Sequence, residues 1–194
     1  MRILRPLLAA AAVLALAACE TIPKAPAGPY KAGASQVTLG RDWSDVSVLL
    51  AGGLKKVKVL SIDGPILNRL YITDGLAVGE SLVKSPSKER PTPKLRAGMN
   101  SSERMEFVAD SIAAMGYQRV ETMKPRPAKF GEQQAVRFDI TARTEDGLDV
   151  QGTALASEAA GKTAFVLFLA PAEHYFQASL PEVEKVMASA RPAG

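Results

Sequence analysis

The chain has 194 residues, of which 47% are hydrophobic and 23% charged, and this is the composition of an ordinary folded protein. Its formal net charge of +4 makes no case for nucleic acid as a partner, because proteins that bind nucleic acid carry clustered basic residues beside aromatic stacking residues. With one histidine and one cysteine, the sequence also excludes a zinc site built from these ligands and any disulfide within the chain.

The amino terminus has the parts of an export signal. Arg2 and Arg5 form a basic start, and an apolar run follows from Leu7 to Ala18. A helix that spans a membrane needs roughly 20 apolar residues, and this run is shorter. We therefore expect residues 1–18 to be a cleaved signal peptide, whose removal leaves 22 basic against 20 acidic side chains.

The stretch Leu16-Ala17-Ala18-Cys19 resembles the lipobox of bacterial lipoproteins, with a branched apolar residue, two small residues and an obligatory cysteine. The resemblance implies cleavage between Ala18 and Cys19, a diacylglyceryl group on the Cys19 thiol and acylation of the new amino terminus. Two or three acyl chains make release from a membrane slow, whereas one anchors only marginally. The alternative is an ordinary cleaved signal with a cysteine nearby by chance.

The residues after Cys19 indicate to which membrane the protein is sorted and how far the domain can extend from that membrane. Glu20 and Thr21, rather than aspartate, follow the cysteine, which under the enterobacterial sorting rule implies the periplasmic face of the outer membrane. Prolines then recur at every third position from Pro23 to Pro29 with few apolar side chains, which predicts an extended tether over residues 19–34. A single globular domain is expected over residues 35–194.

The first strands of this domain are predicted from alternation and turn residues. Residues 36–39 are expected to form a short strand, and Trp43 is expected to pack in the core. Two β-prone runs, 57–62 and 66–73, flank Asp63-Gly64-Pro65, which predicts an antiparallel hairpin.

Residues 84–98 are rich in proline and basic side chains, which predicts a loop, and residues 124–129 predict a smaller one. The longer loop either contacts anionic lipid headgroups or an acidic partner protein, or it is simply solvated. Its basic side chains are Lys84, Lys88, Arg90, Lys94 and Arg96.

A helix is predicted to begin at Asn100, because Asn100 and Glu103 resemble a capping box and Gly116 is placed to end the helix. Met105, Val108, Ile112 and Met115 recur at helical spacing and predict its buried face.

Strands are predicted over residues 118–123, 134–143, 148–156 and 163–170. The strand 134–143 alternates between apolar and polar residues, and 163–170 is apolar on both faces, which predicts the centre of a sheet covered on both sides. Ser179 and Glu182 look like a capping box for a last helix. The fold class is therefore α+β: an antiparallel sheet with a carboxyl-terminal three-stranded meander, packed by a middle and a carboxyl-terminal helix.

The meander from Gly131 to Ala170, with GKTAFVLFLAPAEHYFQASLPEVEKVMASAR closing it, resembles the end of the PsbP-like α/β/α sandwich. The features that recur at the end of that sandwich are a glycine turn, an apolar strand, a short acidic turn and a terminal helix. The resemblance implies an extracytoplasmic accessory domain that binds or steadies a larger assembly, and it transfers no functional residue.

Candidates for catalysis are few. His174 is the only possible histidine base, no G-x-S-x-G elbow supplies a nucleophile, and Ser179 is better explained as a helix cap. His174 is expected to be a packing residue with its hydrogen bonds satisfied. Carboxylates that would have to converge for a glycosidase are Asp63, Asp74, Glu132 and Asp139. We predict no catalytic residues, no metal and no cofactor.

Three functions remain. The first is a membrane-anchored periplasmic lipoprotein with a non-catalytic domain that docks to, or stabilises, an envelope protein assembly. The second is a carrier or sensor that holds a small apolar or lipid ligand between sheet and helix, and the third is a hydrolase of cell wall or lipid. The missing catalytic set favours the first two over the third.

Overall fold

The computed structural model describes residues 22–84, 89 and 91–194. In chain order its strands are β1 (Lys24–Ala25), β2 (Gly28–Ala32), β3 (Ser35–Leu39), β4 (Trp43–Asp45), β5 (Val57–Ser61), β6 (Arg69–Thr73), β7 (Gln118–Phe130), β8 (Gln133–Arg143), β9 (Asp149–Ala159), β10 (Lys162–Pro171) and β11 (Arg191–Pro192). Its α-helices are α1 (Ser47–Leu50), α2 (Ser101–Ala114) and α3 (Gln177–Ala188), and an irregular turn over Ala172–Phe176 precedes α3.

Two antiparallel sheets form the framework. The main sheet has eight strands in the order β1-β4-β5-β6-β10-β9-β8-β7, and a small sheet has the order β11-β3-β2. The core is divided by the main sheet, with α2 packed in one cluster and α3 and the small sheet packed in the other. The predicted α+β class, with its meander, middle helix and carboxyl-terminal helix, is confirmed.

Strand β10 lies inside the main sheet, between β6 and β9. Phe165 and Leu167 point into the α2 cluster, while Val166 and Phe168 point into the α3 cluster, as the two-sided apolar pattern of this strand predicts. The predicted three-stranded meander is formed by β8, β9 and β10, and β7 pairs with β8 to extend it to four strands. Ala160 and Gly161, both with positive φ, form the two-residue turn before β10.

The predicted hairpin forms, since β5 pairs with β6 in the register Val57↔Thr73. Its connection is longer than an Asp-Gly turn, because β6 begins only at Arg69 and Ile66 lies exposed in the loop. Buried Asn68 organises this loop: its Oδ1 accepts from Ser61 Oγ at 2.9 Å and from the Ile62 N–H at 2.8 Å.

The prediction that residues 19–34 form a tether outside the domain is wrong for the strands β1 and β2. β1 pairs with β4 at the edge of the main sheet, and β2 pairs with β3 in the small sheet. Ala25 and Ala32 are buried in the α3 cluster. Backbone hydrogen bonds to distant strands therefore bring this proline-containing segment into the fold from Lys24 onward.

The predicted loop over residues 124–129 is also wrong, because these residues continue β7, the edge strand at the other side of the main sheet. The pairing with β8 shifts between Met123 and Arg126, and Lys124 has φ of 53° at this bulge. Pro125 and Pro127 are tolerated because an edge strand does not need every backbone donor, and bulges interrupt its ladder.

Helix α2 has the predicted capping box, in which Asn100 Oδ1 accepts from the Glu103 N–H and the Glu103 carboxylate accepts from the Asn100 N–H. Gly116 has positive φ just after the helix, as predicted. Val108 and Ile112 are fully buried, and Met105 and Met115 pack at the edge of the same cluster.

The capping box predicted for the last helix is wrong. Helix α3 begins at Gln177, so Ser179 lies buried in its first turn, and Glu182 Oε1 accepts instead from the Gly40 N–H at 2.6 Å. The Glu182 side chain, which was expected to complete the capping box, is therefore bonded to the distant β3–β4 connection instead.

Asp45 joins both sheets to α1. Its Oδ2 accepts from Tyr30 OH at 3.1 Å and lies 3.7 Å from Lys58 Nζ, and its Oδ1 accepts from the backbone and the hydroxyl of Ser47. Partial burial alone would raise the pKa of Asp45, but the Ser47 hydrogen bonds and the charge of Lys58 outweigh it and hold the pKa below its usual range. Burial and the nearby Asp45 raise the pKa of Tyr30.

We expect Asp45→Asn to lower the free energy of unfolding by about 1–3 kcal/mol, because an amide nitrogen would face the donors that now bond to the carboxylate. A lowered folded pKa contributes stability that is present above the unfolded pKa and is lost as pH falls through the folded value. The difference in the free energy of unfolding between wild type and variant should therefore be largest at neutral pH and become smaller in acid. Urea unfolding at several pH values measures it. Asp146→Asn, at an exposed turn residue, is the control. An equal effect at Asp146, or a difference that grows in acid, would contradict this role.

Among the described residues, none of the helices is long and apolar enough to cross a bilayer.

Candidate functional site

The main candidate site is a cleft between α3 and the face of β7, β8 and β9 that α3 partly covers, and we call it the α3 cleft. Its volume is about 310 Å³. It is lined by Met123, Lys124, Arg126, Arg137, Asp139, Ile140, Thr141, Gln151, Gly152, Phe176, Gln177, Leu180 and Glu184.

The apolar part of the cleft comes from the start of α3. Phe176 is nearly buried, with its ring centroid 6.0 Å from that of Phe168, so it is fixed by the core behind it. Leu180, one turn into the helix, is only partly buried. An apolar contact surface held by a rigid core loses little conformational entropy when a partner covers it.

The charged part of the cleft is two arginine–carboxylate pairs. Arg126 Nη2 donates to Asp139 Oδ1 at 2.9 Å across β7 and β8. Arg137 Nη2 donates to Glu184 Oε1 at 3.2 Å and joins β8 to α3.

The remaining bonds of the two guanidinium groups fix them in place. Arg126 also bonds to the Lys124 carbonyl, and Arg137 also bonds to Thr153. Both arginines are thus oriented before any partner arrives, and arginine is enriched in protein–protein interfaces.

Each of the two carboxylates of the cleft accepts a hydrogen bond from an arginine. Gln151 and Gln177 contribute amides, which are 3.5 Å apart. Paired charges around an apolar floor suit a polypeptide surface, which presents both signs of charge and apolar side chains.

A second, smaller groove of about 230 Å³ lies at the end of the sheet near the β5–β6 loop and the β8–β9 turn. Its apolar lining includes Ile66, Tyr117, Leu148 and Pro171. Ile66 is 83% exposed and Leu148 44% exposed, so this groove is open at the surface.

The predicted basic residues that the structure describes, Lys84, Lys94 and Arg96, do not line the α3 cleft. Lys84 lies against Gly52 near α1, Lys94 is exposed, and Arg96 pairs with Glu103 at 3.3 Å. Lys88 and Arg90 fall outside the described residues, as do Ala18 and Cys19. The loop is not wholly solvated, because Leu95 within it is buried in the α2 cluster.

His174 is not the buried packing residue that the sequence suggested. It is exposed, has φ of 64° in the turn before α3, and makes an edge contact with Tyr175 at 5.2 Å between ring centroids. The chain changes direction at this turn before α3 packs on the sheet. The imidazole of His174 therefore faces solvent.

The four carboxylates considered for a paired-carboxylate site have separate surroundings. Asp63 bonds to Asn68 in the β5–β6 loop, Asp74 accepts from the Ala34 N–H at the other end of that hairpin, and Asp139 pairs with Arg126. Glu132 lies exposed in the β7–β8 turn. Within residues 22–84, 89 and 91–194, no group of three or more His, Cys, Asp and Glu side chains could hold a metal ion.

The α3 cleft was missed in the sequence because its partners are distant along the chain. Arg126 and Asp139 are 13 residues apart, and Arg137 and Glu184 are 47 apart. The one local signal was the basic segment 124–129, whose prolines indicated a loop instead of a bulged edge strand.

The architecture is thus an antiparallel sheet that is covered by a helix on one face and by a helix with a small sheet on the other, and that includes a four-stranded meander. No family model and no curated sequence matches the chain. The cyanobacterial PsbP protein CyanoP from Synechocystis sp. PCC 6803 matches in structure with a TM-score of 0.54 at 13% identity, over 91% of this chain and 96% of that chain. This likeness bears out the expected fold.

Two further structures match more distantly. The Ran-binding protein Mog1p of Saccharomyces cerevisiae has a TM-score of 0.44 at 10% identity, over 87% of this chain and 94% of that one. LpqN of Mycobacterium tuberculosis, involved in cell envelope biogenesis, has a TM-score of 0.38 at 9% identity, over 89% and 91%.

Proposed function

We propose that this protein is a lipid-anchored envelope protein whose non-catalytic domain docks onto a protein partner through the α3 cleft. The observation that carries the proposal is the pair of pre-oriented arginines, Arg126 and Arg137, beside the fixed apolar surface of Phe176 and Leu180. The anchor is the diacylglyceryl group that the lipobox places on Cys19, in the outer membrane facing the periplasm.

The carrier hypothesis receives less support. On both faces of β10 the large side chains are almost completely buried, for example Phe165 against Phe107, with ring centroids 5.5 Å apart. The α3 cleft and the second groove both open at the surface and are not cavities enclosed in the core. A small apolar ligand needs a concave site that buries most of its surface.

The hydrolase hypothesis also receives less support from the geometry. A histidine base needs a nucleophile within hydrogen-bond reach, and the side-chain contact recorded for His174 is with Tyr175. The candidate carboxylates are engaged in different parts of the fold.

Photo-crosslinking in intact envelopes tests the docking site. A crosslinking amino acid at position 180, inside the α3 cleft, should give one discrete protein adduct. The same amino acid at position 148, in the other groove, should not. Arg126→Glu should abolish the adduct from position 180, because it places a carboxylate beside Asp139 and removes the oriented guanidinium.

Comparison of the crosslinked adducts from positions 180 and 148 decides whether the α3 cleft is the docking site. Equal adducts from positions 180 and 148, or an adduct from 180 that survives Arg126→Glu, would contradict docking through the α3 cleft. Circular dichroism of each variant checks that the fold is retained.

A further inference from the structure

Helix α1 carries two adjacent apolar side chains on the surface. Val48 is 81% exposed and Leu49 61% exposed. Leu50 and Ala51, the next two residues, pack against the α2 cluster and hold the helix in place. A single exposed apolar residue is ordinary in a folded protein, and this adjacent pair forms a small apolar patch on a fixed support.

This pair lies where the amino terminus enters the fold. The Pro23 carbonyl accepts from the Asp45 N–H at 2.7 Å, and α1 begins two residues after Asp45. Because β1 runs antiparallel to β4, the chain enters at the end of the sheet from which α1 departs. Ile22, just before Pro23, adds a third exposed apolar side chain at 47%.

The proposed anchor is close to this end of the sheet by covalent geometry alone. Cys19 precedes Ile22 by three residues, and an extended chain advances at most about 3.6 Å per residue, so the two Cα atoms are separated by at most about 11 Å. A lipid chain on Cys19 therefore holds the start of the domain against the bilayer, with no long tether between them.

Basic side chains border the same surface. Lys24, Lys55 and Lys84 are exposed. Lys24 pairs with Ser44 across β1 and β4, Lys55 follows the end of α1 by five residues, and a Cβ built on Gly52, just after α1, would lie 2.7 Å from Lys84 Cδ. The two other nearby lysines are already paired, Lys56 with Glu80 at 2.9 Å and Lys58 with Asp45 at 3.7 Å. Three exposed cations around an apolar pair complement a bilayer surface that carries anionic headgroups.

We infer that Val48 and Leu49 of α1, flanked by Lys24, Lys55 and Lys84, form a second membrane contact that seats the domain on the bilayer holding its anchor. This inference rests on the proposed lipidation of Cys19. This contact of α1 with the bilayer, which we call the membrane seat, fixes the orientation of the domain relative to the membrane. Because β1 and β7 are opposite edges of the main sheet, it leaves the α3 cleft clear for a partner.

The test uses the full lipidated protein with a fluorescent probe on a single introduced cysteine. Cys19 is the only cysteine, and once it is lipidated a new cysteine is the only free thiol. Leu49→Cys places the probe on α1. Ile66→Cys is the matched control, because Ile66 is also an exposed apolar residue but lies beyond the other end of β5.

The proteins are reconstituted in vesicles of phosphatidylethanolamine and phosphatidylglycerol that contain a lipid-borne quencher. Since interfacial side chains enter the region between headgroups and acyl chains, emission at position 49 should fall about twofold or more, while emission at position 66 stays unchanged. Flotation of the wild-type protein with the same vesicles reports the anchor separately.

Each outcome separates the two proposals. If the protein floats but quenching at position 49 equals that at position 66, the seat is wrong and the anchor stands. If the protein does not float, both are wrong. If position 49 is shielded in native envelopes but not quenched in pure lipid vesicles, a protein covers α1 and the membrane seat is overturned.

Discussion

Replacing Phe168 with alanine is expected to lower the free energy of unfolding by about 3–5 kcal/mol. Phe168 is completely buried at the centre of the main sheet, and its ring contacts that of Phe176 below the α3 cleft. The substitution removes buried apolar area and leaves a cavity that the flanking strands β6 and β9 cannot fill. For a domain stable by about 5–15 kcal/mol, this is a large part of the total.

Urea unfolding followed by the fluorescence of Trp43, which is buried in the same cluster, measures this effect. Ile66→Ala is the control, since Ile66 is exposed and its loss should change stability by less than about 0.5 kcal/mol. Similar losses for the two variants would show that β10 is not the centre of the core.

Cys19→Ala is expected to release the protein from the membrane. In the proposed anchor, the Cys19 thiol carries the diacylglyceryl group, and alanine offers no atom to which this group could be attached. Without that group, the three apolar side chains Ile22, Val48 and Leu49 remain as contacts. A few partly buried side chains give weak, reversible binding, whereas two or three acyl chains hold a protein for long periods.

Fractionation of cells into soluble and membrane parts, followed by a carbonate wash, tests this prediction. The wild type should stay in the washed membrane and the variant should leave it. Ala18→Ser, which keeps a small residue before the cysteine, serves as the control and should behave as the wild type. A Cys19→Ala protein that remains in the washed membrane would show that something else anchors the chain.

The regular parts of the fold could be predicted because their causes are local. The two-sided apolar run of β10, the alternation of β8 and the Asn100–Glu103 capping box each depend on residues close together in sequence. A buried strand or a helix start leaves a pattern within a few residues, and these patterns predicted the correct fold class.

The errors came from partners that are distant in sequence. β1 and β2 hold few apolar side chains and are fixed by backbone bonds to β4 and β3, which their own composition does not reveal. Glu182 was expected to cap α3 but bonds to Gly40, 142 residues away. The prolines of β7 indicated a loop, because sequence alone does not tell an edge strand with bulges from a connection.

The candidate site was even less predictable. Of the basic residues predicted to act together in the loop 84–98, Arg96 and Lys84 are described and lie apart: Arg96 pairs with Glu103 on α2, and Lys84 lies beside α1. The α3 cleft is assembled from the bulge of β7, the polar face of β8 and the start of α3. Only the pairing of the strands and the reversal at His174 bring these three parts together.

The intact mass of the protein extracted from its own membrane tests the central claim most directly. A lipid-anchored domain predicts a chain that begins at Cys19, lacks residues 1–18 and carries the mass of a diacylglyceryl group with a further acyl chain on its amino terminus. An unmodified mature chain, or one that retains residues 1–18, would contradict the anchor and, with it, the seat of α1 on the bilayer.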